Sequence, residues 1–192
     1  MHPPLAALDR LPTLPTARTL LRALTHADAE QLFEVFSDPE TMRYWSSEPH
    51  RDPRQTAAMV AAIEQGFERR TVLQWGIESA DHGHLLGTVT LLPAGEQPRA
   101  ELGVILGRAH WGLGLAGEAQ RAVIGFAFGE LGLHRLEADA HPDNRASLHS
   151  LERLGFRREG LLRERWLVAG EFSDSVILGL LAADRLGAGA EP

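Results

Sequence analysis

Residues 111–119 read Trp-Gly-Leu-Gly-Leu-Ala-Gly-Glu-Ala, and they stand between an apolar strand pattern, Leu102-Gly-Val-Ile-Leu106, and a helical pattern over about 114–130. Gly112, Gly114 and Gly117 are spaced two and three residues apart. Without a β-carbon, such residues let backbone N–H groups approach an anion closely. The helix that starts there adds unpaired N–H groups and a partial positive charge. Strand, glycine loop and helix together predict a phosphate site, although a tight strand-to-helix turn would use the same residues. A P-loop of the NTPase kind requires Gly-Lys-Ser/Thr, and Gly117 is followed by Glu118-Ala119. A dinucleotide fold places its loop after the first strand, whereas this one follows the fourth.

Outward from the loop, periodicity predicts one α/β domain in the order β-α-α-β-β-β-α-β-α-β-β. Residues 1–15 read as an irregular lead-in, 16–182 as the domain, and 183–192 as a disordered tail. Arg18-Thr-Leu-Leu-Arg-Ala-Leu24 is the first strand, and Thr25-His-Ala-Asp28 is a capping-box pattern before a helix bearing Ala29, Leu32, Phe33 and Phe36 on one face. Asp52-Pro53 opens a second helix. Strands follow at about 71–79, 85–92 and 99–107. A strand over 135–141, a helix over 144–154, and strands over 157–168 and 172–181 complete the domain.

Composition narrows the function. The chain has 192 residues, 44% hydrophobic, and no cysteine. Disulfides, thiolate metal sites and an acyl-cysteine intermediate are therefore excluded. A net charge of −7 disfavours nucleic acid as a partner. No apolar run approaches the roughly 20 residues that span a bilayer, and Met1-His2-Pro3-Pro4 lacks the pattern of a signal peptide. The expectation is no membrane and a cytoplasmic location. His82-Gly-His84 is the one close histidine pair, with no third ligand at metal-site spacing, so no metal is expected.

At this point the residues match a known pattern. Trp111–Ala119 resembles the cofactor loop of the GNAT acetyltransferases, in the RimJ/RimL-type branch, which reads Trp-Gly-x-Gly-x-Ala-x-Glu-Ala. Asn144-Arg-Ala-Ser147, Leu151-Glu-Arg-Leu-Gly-Phe156 and Glu159-Gly160 follow at the branch's spacing, and Thr16-x-Arg18-x-x-Leu-Arg22 and Ala100-Glu-Leu-Gly103 also resemble it. The resemblance covers roughly residues 16–182. It implies a mixed central sheet of about seven strands, splayed between the fourth and fifth, with about four helices. It implies acetyl-CoA as donor and an amine as acceptor, joined directly in a ternary complex. Dimers are common in that branch, so a homodimer is among the assemblies it implies.

The same resemblance assigns roles. Backbone amides of Trp111, Gly112, Leu113, Gly114, Leu115, Ala116 and Gly117 would hold the pyrophosphate. Leu102, Val104 and Leu106 would pair with pantetheine as an added strand. Asn144 would bond the same arm, though a plain helix N-cap fits it too. Many relatives carry an acidic tyrosine just before the Glu-Lys-x-Gly-Phe motif, where this chain has Leu151. In the RimL-like branch the serine of Asn-x-x-Ser takes that part, and Ser147 holds that place, unless it is only a first-turn residue. Glu101 is the first candidate base, or else a solvated strand residue. Glu164 is the second: relatives have a Glu at the position of Trp166, and two residues away keeps the same strand face. Tyr44, Trp45 and Glu48 fall in the connection that lines the acceptor groove, where core packing is the competing reading. The acceptor is expected to be a protein α-amine. A small amine (antibiotic, polyamine or amino-acid conjugate) and a catalytically silent CoA-binding module are the alternatives.

Overall fold

The computed structural model describes residues 3–187. Eight strands form one sheet in the order β1-β2-β3-β4-β5-β6-β8-β7. They are β1 (Leu14–Pro15), β2 (Thr19–Ala23), β3 (Leu73–Ser79), β4 (Leu85–Pro93), β5 (Arg99–Leu106), β6 (Arg135–Ala140), β7 (Arg157–Val168) and β8 (Glu171–Leu181). Every pairing is antiparallel except β5 with β6. The α-helices are α1 (Pro3–Ala6), α2 (Ala29–Ser37), α3 (Pro53–Glu68), α4 (Leu115–Gly129), α5 (Arg145–Arg153) and α6 (Ala182–Gly187).

Two of these elements fall where an irregular lead-in was expected. Leu14 and Pro15 pair with Leu21 and Leu20. Leu5 is 2% exposed and belongs to the main core. The Pro12 carbonyl accepts the indole N–H of fully buried Trp75 at 2.8 Å. Apolar burial and one satisfied indole therefore hold this segment against the domain. At the other end, residues 183–187 belong to α6, and residues 188–192 lie outside the described residues.

Strand alternation divides the core in two. On one face of the sheet, Leu21, Trp75, Val89, Leu102 and Leu136 pack with Ala119, Val123 and Phe126 of α4 and Leu148 and Leu151 of α5. On the other face, Leu24, Leu85 and Ile105 pack with Leu32, Val35 and Phe36 of α2 and Val60 of α3. In α2 it is Val35, not the expected Phe33, that is buried with Ala29, Leu32 and Phe36.

The helix starts follow their caps. Thr25 donates its backbone N–H to the Asp28 carboxylate at 2.7 Å. Asp52 accepts from the Arg54 N–H at 2.8 Å, with Pro53 in the first turn of α3. Asp28 is 4% exposed and also takes two hydrogen bonds from the Arg22 guanidinium, at 2.8 and 2.9 Å. Arg22 reaches Glu78 as well. Burial alone would push the Asp28 carboxyl up, but the bonds from Arg22 and Thr25 outweigh it and hold it below its ordinary 3.8.

Asp28→Asn should therefore cost about 3 kcal/mol of stability, because the partly buried Arg22 guanidinium loses its charged partner, while the amide oxygen still accepts the Thr25 N–H. A carboxyl lowered in the fold contributes fully above its ordinary value and loses that contribution as pH falls through the lowered one. Denaturant unfolding from pH 7 to pH 2 should show a shallower acid decline in the variant. An acid limb identical to that of the wild type would refute this account.

Candidate active site

The ladder between β5 and β6 has three rungs: Arg99↔Arg135, Ala100↔Leu136 and Glu101↔Glu137. Beyond them the strands part. On its other side β5 stays paired with β4 as far as Gly87↔Leu106. The bond from the Gly107 N–H to the Leu86 carbonyl sets which β5 residues point their backbone at β4. By alternation these are the odd ones. Residues 102, 104 and 106 turn N–H and C=O toward the gap. The Leu106 carbonyl is already taken by the Trp111 indole N–H at 2.7 Å, and the last rung uses the Leu102 N–H, which leaves the Leu102 carbonyl, both groups of Val104 and the N–H of Leu106. An extended amide-bearing chain fits such an edge.

A single turn, Arg108–His110, leads from β5 into the glycine loop. Gly112 and Gly114 have φ of +74° and +77°, a region that other residues enter at a cost. Gly114 caps α4, and Trp111 and Leu113 are exposed beside it. Gly117, one turn into the helix, faces α5: a β-carbon there would lie 3.9 Å from Ser150 Oγ. The first turn of α4 and the middle of α5 are thus neighbours. The Asn144 side-chain oxygen accepts the Ser147 N–H at 3.1 Å, so Asn144 is the N-cap of α5. Its amide NH₂ takes no partner among the described residues. Ser147 is half-buried, and its hydroxyl takes no part in that cap. An unpaired strand edge, two left-handed glycines and a helix N-terminus in sequence suit pantetheine followed by a diphosphate.

A cavity of about 200 Å³ opens where the strands part, lined by Glu101, Glu137, Asp139, Leu162, Arg165 and Ile177 among others. Glu137 is paired with Arg99 at 2.7 Å and Arg135 at 2.9 Å. Asp139 accepts from the Trp166 indole at 2.8 Å and the Ser175 hydroxyl at 2.7 Å, and lies 3.6 Å from the Arg165 guanidinium. Glu101 takes no hydrogen bond or ion pair among the described residues. Burial pushes its carboxyl above the ordinary range; Asp139 and Glu137 add to this, and Arg165 opposes it.

The other expected residues are dispersed. Tyr44 stacks on His141 at 4.9 Å between ring centres, two residues beyond Asp139 and three before Asn144. Trp45 packs edge-on to Phe36 in the second core, at 6.4 Å. Glu48 pairs with Arg51 at 2.8 Å in a separate open groove with Ser47, His50 and Gln55. Glu164 is exposed, with φ of +51°, in a bulge of β7 between Leu162 and Trp166, and its N–H donates to Asp174. That bulge breaks the alternation from which Glu164 was placed on the face of Trp166; Arg165 and Trp166 reach Asp139 instead. His110 comes within 5.9 Å of His84, itself 6.0 Å from His82, but no group of three ligands able to hold a metal occurs among the described residues.

Glu137, Asp139 and Arg165 are members of the cavity that the sequence reading left out. The signal for the first two was present: in Arg135-Leu-Glu-Ala-Asp-Ala140 the apolar residues alternate with carboxylates, which must share the opposite face. Arg165 had no such signal, because only the bulge turns it inward.

Residues 18–157 match the family described as Acetyltransferase (GNAT) domain. The uncharacterized N-acetyltransferase YoaA of Bacillus subtilis (strain 168) is 36% identical over 154 residues, covering 80% of this chain and 87% of that one. The ribosomal protein uS5-alanine N-acetyltransferase of Escherichia coli (strain K12) is 26% identical over 177 residues, covering 89% and 91%. The crystal structure of spermidine N-acetyltransferase from Vibrio cholerae in complex with CoA and spermine has the same fold, with a TM-score of 0.76 at 24% identity over 86% of this chain and 96% of that one. Most of the domain is matched, and the matched span holds both the forked strands and the glycine loop, so the chain belongs to the GNAT acetyltransferases and is an acetyl-CoA-dependent N-acetyltransferase.

Proposed function

We propose that the acceptor is the α-amino group of a protein N-terminus, which places the chain in the RimJ/RimL-type branch. The observation that carries this reading is the charge balance at the fork: of three carboxylates lining the cavity, only Glu101 lacks a cationic partner among the described residues. A polyamine brings several positive charges and calls for several uncommitted carboxylates, and here the Arg165 guanidinium itself lines the cavity. An α-amine brings one charge and, with a pKa of about 7.7–8.0, sheds it near neutrality. The uS5-alanine enzyme of E. coli, similar over most of its length, is named for an acceptor of this kind.

In this reading the open edge of β5 and the Asn144 amide hold pantetheine, and the amides from Trp111 to Gly117 hold the diphosphate. Glu101 takes the proton of the acceptor amine, directly or through one water. Its raised pKa suits the task, since a base closer to neutrality accepts a proton more readily. The amine's nitrogen forms a bond to the thioester carbonyl carbon, and the carbon–sulfur bond breaks. The Ser147 hydroxyl hydrogen-bonds the departing thiolate and passes to it the second proton, which it regains from the nitrogen as the amide forms. Tyr44, held by its stack on His141, walls the acceptor's path.

A panel of N-terminal peptides, spermidine and free lysine should show turnover highest for peptides. A kcat/KM for spermidine above that of every peptide would refute the assignment. Glu101→Gln should lower kcat roughly 10²- to 10⁴-fold while CoA affinity is retained. Ser147→Ala should cost only about 10-fold, because a thiol of pKa about 8.5 leaves without strong acid help.

The carboxylate's titration is open to direct measurement. Arg165→Gln removes the cation that opposes the upward shift of Glu101, so that carboxyl should titrate at higher pH. Asp139→Asn removes a charge that raises it, so it should titrate at lower pH. Carboxyl ¹³C NMR would follow both, and the acid limb of turnover should move in the same directions. Shifts of like sign in the two variants would contradict the cavity's charge balance.

A further inference from the structure

The glycine loop has a carboxylate at its root. Glu118 lies in the first turn of α4, with its side chain 14% exposed. A negative charge there is favourable for an empty helix end and unfavourable once a diphosphate must approach the same N–H groups. The structure commits both of its oxygens elsewhere. Oε1 accepts from the Thr16 hydroxyl at 2.6 Å and from the Arg18 backbone N–H at 2.7 Å. Oε2 accepts from Arg18 Nε at 2.8 Å and Nη2 at 2.7 Å. Burial would push the Glu118 carboxyl up, yet the bonds from Thr16 and Arg18 keep it below its ordinary range, so the carboxylate is charged.

The same guanidinium has a third attachment. Arg18 Nη1 donates to the Leu113 carbonyl at 2.9 Å, between the two left-handed glycines. In a trans peptide the C=O of one residue and the N–H of the next point in opposite directions. Fixing the Leu113 carbonyl toward Arg18 therefore fixes the Gly114 N–H away from it. One side chain joins the turn between β1 and β2, the tip of the loop and the first turn of α4.

We propose that Arg18 is a positioning residue for the diphosphate of the donor: it sets the 113–114 peptide so that its N–H faces the anion, and it neutralises Glu118 so that the start of α4 stays attractive to negative charge. The proposal rests on the loop being the diphosphate seat, as argued above. It separates two roles that a single glycine motif conflates. The glycines permit the conformation, and Arg18 selects it.

The test compares two donors, acetyl-CoA and S-acetylpantetheine, which has the thioester arm without the diphosphate. In Arg18→Gln, calorimetric Kd for CoA and KM for acetyl-CoA should rise roughly 10-fold or more, the scale of a lost charge-assisted contact. The rise should be absent with S-acetylpantetheine, and kcat at saturating acetyl-CoA should hold. Arg18→Lys keeps the charge without the fork and should fall between. Glu118→Gln added to Arg18→Gln should recover part of the loss, because no uncompensated carboxylate then faces the diphosphate. Unchanged CoA affinity in Arg18→Gln would overturn the proposal, as would an equal loss with both donors, which marks a general structural role. Wild-type protein that bound no CoA would overturn the loop reading itself and this one with it.

Discussion

The fork between β5 and β6 is the constraint on which the site depends. β5 is held along its whole length by β4, and β6 along its whole length by β8. The two halves of the sheet are therefore each fully paired, and they meet at only three rungs. The last rung sets Glu101 opposite Glu137, and like charges directly opposite weaken a ladder. Unpaired backbone groups inside a protein are costly unless something answers them. A gap of this kind stays open to a ligand that brings its own amides.

Charge is handled by one device at several places. Arg22 holds Asp28 and Glu78, Arg135 holds Glu137 and Glu159, and Arg165 sits beside Asp139. Guanidinium forks suit partly buried carboxylates because they fill the lone pairs as well as the charge. Among the carboxylates at the fork, Glu101 is the exception. It sits within a field of two other acids, with Arg165 the one cation that bears on it. The arrangement therefore raises the proton affinity of that one carboxylate, which is the direction the proposed base needs.

Much of this was legible in the chain. Periodicity placed the strands over 71–107 and 135–181 and the two middle helices within a residue or two, because each packs one face or stripe against the sheet. The glycine loop and Asn144 were found because their chemistry is local: left-handed glycines before a helix, and a short polar side chain at a cap. The rest depended on long-range geometry. Arg165 enters the cavity through a bulge that no local pattern announces. Tyr44 and His141 are almost a hundred residues apart in sequence, and only the fold stacks them. Residues 1–15 read as irregular because four prolines and short apolar runs hide a core contact at Leu5 and a two-residue strand.

Leu151 stands where the family resemblance implies an acidic tyrosine. Leu151 is 3% exposed and packs with Leu148 against the main core. A hydroxyl there would be buried among apolar side chains, and burial without a partner costs free energy. In the proposed mechanism the acid is Ser147, one turn earlier in α5, and a serine is a weak acid. Aminolysis of a thioester tolerates this, since a thiolate is a good leaving group beside an amine that must first lose its proton. The heavier requirement falls on the acceptor side, on Glu101 and on the basicity of the amine. A lysine, at about 10.4, would ask far more of one carboxylate than an α-amine does. With Ser147 and Glu101 in the proposed roles, a weak acid and a solitary base favour the same class of acceptor from opposite ends of the reaction.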